Sequence, residues 1–342
     1  MQISFFGRTP DGKEVHRYRF TNTHGMVMDV TDYGASVYAL HVPHAGKNID
    51  VLLDYNTDDA DTPVLPFLAT TVGRHANRIG GACFELNGKT YALAQNDGPN
   101  NLHSGPDVYA ARLWAVAETT ENSITFHLHS PDGDQGFPGA ADIYVTYTLT
   151  EDNALRIGYR AQAHQDTILN LTNHAYFNLN GHNSGSVLSH RVWIDADAYT
   201  RADAASIPTG EITDVTDTPM DFRTPKTIAP DIYSDYEALI FGKGYDHNWC
   251  LNNGGQFAKV ASLTGDISGL SMDVYTDLPG MQVYTANFLK DGIGKDGAYY
   301  NMRHGICFET QYYPDSIHHA NFPSPVYKAG ETLESTTEYR FY

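Results

Sequence analysis

Two stretches of the chain place proton-carrying side chains where a structural role alone explains them poorly. In Leu171–Gly181, LTNHAYFNLNG, and the residue before it, an extended backbone points Asn170, Thr172, His174 and Tyr176 to one face. Leu169, Leu171, Asn173 and Phe177 go mostly to the other. A strand that only fills a core has no use for the polar side, so this segment reads as the wall of a polar cleft; a satisfied structural histidine is the alternative for His174. In FETQYYPDS, Cys307, Glu309 and Gln311 face one way and Ile306, Phe308 and Thr310 the other. Burying an unpaired carboxylate among apolar residues is expensive. Glu309 is therefore either paired with a cation or employed as a base.

Three further stretches carry groups suited to hydroxyls. Asn77-Arg78 in TTVGRHANRIGG offers a planar fork of donors. His103 lies in the Gly- and Asn-rich loop NDGPNNLHSGP, and loops held on a rigid scaffold are where binding residues collect. Asp246 and His247 in GYDHNW precede an aromatic strand. A salt bridge, an idle loop histidine and a capped turn are the respective alternatives.

The elements that must position these residues read as strands. CFELNGKTYAL is two β-type runs around Asn87-Gly88, a strong hairpin signal. ADIYVTYTLTEDNALRIGYRAQA alternates on either side of a turn at Asp152-Asn153. SITFHLHS, SMDVYTDLPGMQVYTANFL and GICFETQYYPDS carry the same patterning, stopped by Gly and Pro. DIYSDYEALIFG is the one short helical candidate. The region from Asp195 to Gly244 is rich in Thr, Asp and Pro and reads as long loops. No fixed-period repeat and no Pro/Ser-rich linker divides the chain. The expectation is an all-β fold: one large antiparallel β-sandwich domain over 1–342, with few short helices.

Composition narrows the partner. With 342 residues, 41% hydrophobic and 18% charged, there is ample core and no case for disorder. A formal net charge of −19 argues against nucleic acid and anionic membranes, and favours a neutral ligand. Cys83, Cys250 and Cys307 are too few and too far apart for a disulfide framework or a zinc site, so reduced thiols are expected. The N-terminus lacks a signal-peptide pattern and no apolar run approaches a membrane span. The expected location is cytoplasmic. The sequon at Asn170 falls within the polar strand and is expected to carry nothing.

Taken together, VGRHANRI, NGKTYAL, NNLHSG, GFPG, TNHAYFNLNG, GYDHNW, PGMQVYTANF and FETQYYPDSIHHANFP resemble the signatures of the aldose 1-epimerase (galactose mutarotase) family, in family order. DYGASVYALHVP and YKAGETLESTTEYRF extend the resemblance over nearly the whole chain. It implies a sugar cleft open on one sheet, and interconversion of the α and β anomers of hexoses such as galactose and glucose, without metal or cofactor. It implies Glu309 as base, His174 as acid and His103 as a second active-site histidine. Asn77, Arg78, Asp246 and Gln282 match residues that hold sugar hydroxyls, and Tyr176 and Trp249 offer apolar faces. The partner would be a small aldose, and the protein a monomer or homodimer. Ser104 departs from the family's Leu-His-Gly-Gly pattern, and the 106–114 loop differs too; both bear on substrate preference.

Ring opening needs one group to take the anomeric proton and another to protonate the ring oxygen. A carboxylate of ordinary pKa, about 4, is ionised at neutral pH, and an imidazole near about 6.5 can hold and release a proton. Three rivals remain at this level. A glycosidase would use Asp246 and Glu309 as a carboxylate pair. A hexose-6-phosphate 1-epimerase would need added cations at the cleft mouth. A non-catalytic carbohydrate-binding protein would bind sugar and leave its anomers alone.

Overall fold

The computed structural model describes residues 1–55, 68–290 and 292–342. Among them the long strands fall into three antiparallel sheets. An N-terminal sheet joins five consecutive strands from Gln2–Arg8 to Lys47–Asp50. A nine-stranded sheet is built around Ala141–Leu149, Ala154–Ala163 and the C-terminal Thr332–Phe341. A second five-stranded sheet runs Pro208–Asp214, Ala198–Ala202, Asp246–Cys250, Gly280–Tyr284, Cys307–Gln311.

Side-chain alternation explains how they stack. ADIYVTYTL buries every second residue from Ala141 to Leu149, so one face meets the core and the other meets water. One apolar cluster draws on all three sheets: Phe20 and Met28, then Ile143 and Ile157, then Trp249, Met281 and Phe308. The Tyr339 hydroxyl crosses that core to donate to the Phe308 carbonyl at 2.8 Å. The arrangement is the expected all-β sandwich. The last two strands of the second five-stranded sheet, Gly280–Tyr284 and Cys307–Gln311, are buried along their whole length. Their far face, away from the core, is the polar one.

Local signals explain the connections. Cys83–Leu86 and Lys89–Ala92 form the hairpin expected around Asn87-Gly88, both with positive φ. Asn153, also at positive φ, turns Ala141–Leu149 into Ala154–Ala163. The helix Glu237–Gly242 lies inside the segment patterned for one.

The stretch from Asp195 to Gly244 corrects the loop reading. It contains the hairpin Ala198–Ala202/Pro208–Asp214, which forms the edge of the second five-stranded sheet. Asp203 makes the turn, its carboxylate accepting the backbone N–H groups of Ala205 and Ile207. Thr209, Thr213 and Asp214 sit on this edge strand, where polarity does not oppose pairing. No helix among the described residues is long and apolar enough to cross a membrane.

Candidate active site

Strand register builds the floor of the site. Asn248 pairs with Gln282, and Gln282 with Glu309. One step along, Asp246 pairs with Tyr284, and Tyr284 with Cys307. The two-residue period therefore gathers Asp246, Asn248, Gln282, Tyr284, Cys307, Glu309 and Gln311 on one face. The alternate residues Trp249, Met281, Val283 and Phe308 belong to the core cluster. This bears out the split read from FETQ, and it corrects Trp249: its indole is fully buried on the core side and donates to the Met220 carbonyl at 3.1 Å. The neighbour of Asp246 in sequence goes to the opposite face because the strand is extended.

His174 arrives from a segment that is less regular than expected. Only Thr172–Asn173 forms strand, paired with Thr71–Val72. Asn170 and Phe177 make isolated bridges, to His75 and to Leu52 and Ile306. The asparagines explain why. Asn170 accepts the Tyr312 N–H at 2.9 Å and donates to the carbonyls of Ala76 and Tyr312. Asn173 donates to the Ala69 carbonyl, and Asn178 to the carbonyls of Gly185 and His304. These amides supply bonds that a regular ladder would otherwise make. Asn170 and Thr172 are thus fully buried supports, not a solvated wall, and the sequon is inaccessible. Of the four residues assigned to one polar side, His174 and Tyr176 reach the site, stacked at 5.0 Å between ring centroids.

There His174 Nε2 stands 3.5 Å from Glu309 Oε1, and its Nδ1 stands 3.5 Å from Cys307 Sγ. The His103 ring lies 5.4 Å away. One side-chain atom each from His103, His174 and Glu309 falls within 4.8 Å of the other two. Two histidines and a carboxylate at that spacing raise the question of a metal. The Asn77 N–H donates to His103 Nδ1 at 3.1 Å, so Nδ1 holds the lone pair and Nε2 the proton. A metal ligand needs a lone pair, and His103 presents a donor at Nε2 instead. The donor set suits an oxygen of a neutral ligand better than a cation.

The loop around His103 is held by backbone in the left-handed region: Asn77, His103 and Ser104 all have positive φ. The His103 N–H returns a bond to the Asn77 carbonyl. The Asn77 side-chain oxygen accepts the Arg78 N–H at 2.8 Å, so this asparagine shapes the turn that carries both neighbours. Ser104 adds a clasp: its hydroxyl accepts the His75 N–H at 2.9 Å and donates to the His75 carbonyl at 3.0 Å. Arg78 reaches Asp97 at 2.8 Å and remains close enough to Glu309 for its charge to act there. Gln282 donates to Asp246 at 2.7 Å. Among the described residues Gln282 Oε1 and Glu309 Oε2 are buried without a hydrogen-bond partner.

Burial rewrites the protonation expected from ordinary values. It pushes the Glu309 carboxyl well above the usual carboxylate range; Asp246 reinforces the shift and Arg78 opposes it. It pushes His174 down to about 4, against the pull of Asp246. It holds His103 well below its ordinary value, with His174 and Arg78 adding to the effect. Both shifts disfavour charge, so they favour a protonated Glu309 carboxyl beside a neutral His174 imidazole over the carboxylate–imidazolium pair. Asn248, Tyr284 and Cys307 were not singled out as site residues by sequence; the signal was their two-residue spacing from Asp246, Gln282 and Glu309.

Comparison with known proteins adds to this geometry. A family model described as aldose 1-epimerase matches residues 16–340. The galactose mutarotase of Bos taurus is 39% identical over 316 residues, covering 92% of this chain and 90% of that one. The aldose 1-epimerase of Haemophilus influenzae is 39% identical over 336 residues, 97% of each. The crystal structure of the GalM/aldose epimerase homologue from C. elegans superposes with a TM-score of 0.87 at 29% identity, covering 95% of this chain and 98% of that one.

Proposed function

The chain belongs to the aldose 1-epimerase family, and on that premise we propose that its cleft interconverts the α and β anomers of hexoses such as galactose and glucose, with Glu309 and His174 as the proton-transfer pair. The observation that carries the residue assignment is the 3.5 Å approach of His174 Nε2 to Glu309 Oε1. The reacting oxygens, O1 and O5, share one carbon, so a base and an acid that serve both must be close neighbours.

One proton on this pair accounts for the cycle. In the charge-separated form, the Glu309 carboxylate takes the proton of the anomeric hydroxyl while the His174 imidazolium protonates O5. The C1–O5 bond breaks, and O1 becomes the aldehyde oxygen. Glu309 is now neutral, as is His174. Rotation about C1–C2 presents the other carbonyl face. Closure returns a proton from Glu309 to O1 and the O5 proton to His174. Atoms and charge balance, and the enzyme ends as it began. The raised pKa of Glu309 makes its carboxylate a stronger base than an ordinary one, and the lowered pKa of His174 makes its imidazolium a stronger acid. His103 Nε2–H supplies a fixed donor to the same pair of oxygens. Asp246, Gln282 and Arg78 hold hydroxyls that do not react, and Tyr176 backs the His174 ring. Asn77 acts through the loop that it shapes.

The apolar cluster spanning all three sheets supports reading 1–342 as one folded unit. Three free thiols suit a reducing cytoplasm. Polarimetry of freshly dissolved α-galactose and α-glucose tests the assignment. Each positioned acid or base contributes about 10²–10⁴-fold. Glu309→Gln and His174→Asn should each lower turnover by that order with the fold intact. Near-normal turnover in either variant refutes the pair.

A further inference from the structure

Two segments far apart in sequence must agree before the cleft can close on a sugar. One is the strand Cys307–Gln311, which carries Glu309. The other is the short strand Arg78–Ile79, which pairs with Asn101–Leu102 next to His103. Among the described residues the two strands belong to different sheets. Asp315, just past the end of the Glu309 strand, joins them. Its N–H donates to the Arg78 carbonyl at 2.9 Å, and its carboxylate Oδ1 accepts the Gly80 N–H at 2.8 Å. The two bonds flank Ile79, so one residue grips the backbone on either side of it and fixes the direction in which Arg78 leaves the chain. The surroundings reinforce the grip. Asp315 is 3% exposed, and its φ of 56° lies in the left-handed region that Asp and Asn visit. His318 Nδ1 stands 2.7 Å from the same Oδ1, and His319 Nε2 stands 3.4 Å from Oδ2. The hydrogen bond to Asp315 raises the His318 pKa, the sign expected of a ring that donates to a carboxylate. A Cβ at Gly80 would stand 3.2 Å from Ile207 Cγ2 and 3.4 Å from Asp315 Oδ2, so the carboxylate closes tightly on a residue without a side chain.

We propose, on the reading of the cleft as a hexose site, that Asp315 is a positioning residue for sugar binding: it sets Arg78 against the Glu309 strand, so that the guanidinium holds hydroxyls of the same sugar whose anomeric proton Glu309 takes. Asp315 itself touches no substrate. A carboxylate that accepts a backbone N–H makes a charge-assisted bond, stronger than a neutral one, which suits a clasp between separate sheets. The Arg78 side chain already has an outer partner in Asp97, at 2.8 Å, which holds its far end but not its root. His103 has a second support, the Ser104 clasp on His75, so the loss of Asp315 falls on Arg78 first. Arg78 grips hydroxyls that do not react, and such contacts are the same in the bound sugar and in the transition state. Their loss raises KM and leaves kcat little changed.

Calorimetric titration of the full-length protein with galactose, beside polarimetry of α-galactose, tests the role. Asp315→Gly removes the carboxylate without straining the left-handed turn. It should weaken galactose binding about 10–100-fold and raise KM by a similar factor, with kcat little changed. Asp315→Asn keeps an Oδ1 acceptor and the turn, and should retain most of the affinity. In an Arg78→Ala background, Asp315→Gly should cost little more, because the group that it positions is gone. Wild-type affinity in Asp315→Gly overturns the proposal. So does a loss confined to kcat, or one that adds in full to that of Arg78→Ala. An Asp315→Gly chain that no longer melts cooperatively would make the residue a folding anchor and overturn it too. A wild type that binds galactose without turning it over would sink the anomer reading and leave the same affinity comparison to decide the clasp; a wild type that binds none would sink both.

Discussion

On the proposed cycle the imidazole of His174 passes between neutral and charged forms within one turnover, and its Nδ1 faces the Cys307 thiol at 3.5 Å. Burial pushes that thiol well above its ordinary pKa, with Glu309 adding to the effect, so it stays protonated. A thiol is both a weak donor and a weak acceptor. It can give its hydrogen to Nδ1 of the neutral ring and receive Nδ1–H from the imidazolium. Cys307→Val removes this adaptable partner. A hydrogen bond to a charged group is worth about 1.5–3 kcal/mol, so kcat should fall about tenfold or more, with Cys307→Ser retaining most activity. The sign on pH follows from the charged state losing its acceptor: the His174 pKa drops further, and the acid limb of the rate profile moves lower. Unchanged kcat and an unmoved limb in Cys307→Val would show the thiol to be a bystander. In the wild type, the one-proton form of the Glu309–His174 pair spans the interval from about 4 up to the raised Glu309 value. On its acid side the kcat/KM profile should fall as the pH approaches about 4. A fall centred near the ordinary histidine value of about 6.5 would contradict the burial argument.

At the level of the strand, Cys307–Gln311 serves two masters on two faces. Phe308 packs in the core with Met281 and Val283, while Glu309 occupies the site beside Gln282. Adjacent substitutions should therefore act on different quantities. Phe308→Ala should cost about 3–5 kcal/mol of stability, read as a lower denaturation midpoint. Glu309→Gln should leave the midpoint unchanged or raise it, because it removes a carboxyl that burial disfavours in its charged form. A large loss of stability in Glu309→Gln would mean that the carboxylate is a structural anchor. The same two-faced logic explains Gly280. A Cβ there would meet Asn248 Oδ1 at 2.5 Å and the Tyr313 ring at 2.7 Å, so the crowded polar face excludes one.

For the molecule as a whole, buried histidines set the response to acid. His75, His174 and His190 are pushed by burial to about 4, and burial also holds His103 well below its ordinary value. In the unfolded chain they protonate near about 6.5. Between those values unfolding takes up protons, so stability is lost as pH falls from about 6.5 towards 4, by up to about 3 kcal/mol per histidine. Asp54, raised by burial to about 7, and Glu309 act in the opposite sense: their stabilising share is present at low pH and is lost as pH rises through their folded values. The histidines outnumber them, and a net decline on acidification is expected from denaturant midpoints. His190 accepts the Leu179 N–H and has no part in the cleft. His190→Gln should therefore shrink the decline by up to about 3 kcal/mol while sparing turnover; an equal decline in variant and wild type would refute its share.

Alternation and turn chemistry made much of the sandwich legible in advance, because both are local. ADIYVTYTL declares its buried face residue by residue, and Asn87-Gly88 and Asp152-Asn153 mark their turns. Glu309 and His174 were legible because a carboxylate among apolar neighbours and a histidine among amides are costly unless used. What the chain alone left open depended on partners distant in sequence. Asn170, Asn173 and Asn178 proved to be clips to Tyr312, Ala69 and His304, a role set by segments that only folding brings near. Trp249 went to the core although it lies beside cleft residues, because pairing with Gly280–Tyr284 fixes which face of its strand is polar. The residue types that carry protons were determined by sequence. Their pKa directions, and the 3.5 Å that joins Glu309 to His174 across 135 positions of chain, were decided by burial and strand register, which exist only in the tertiary structure.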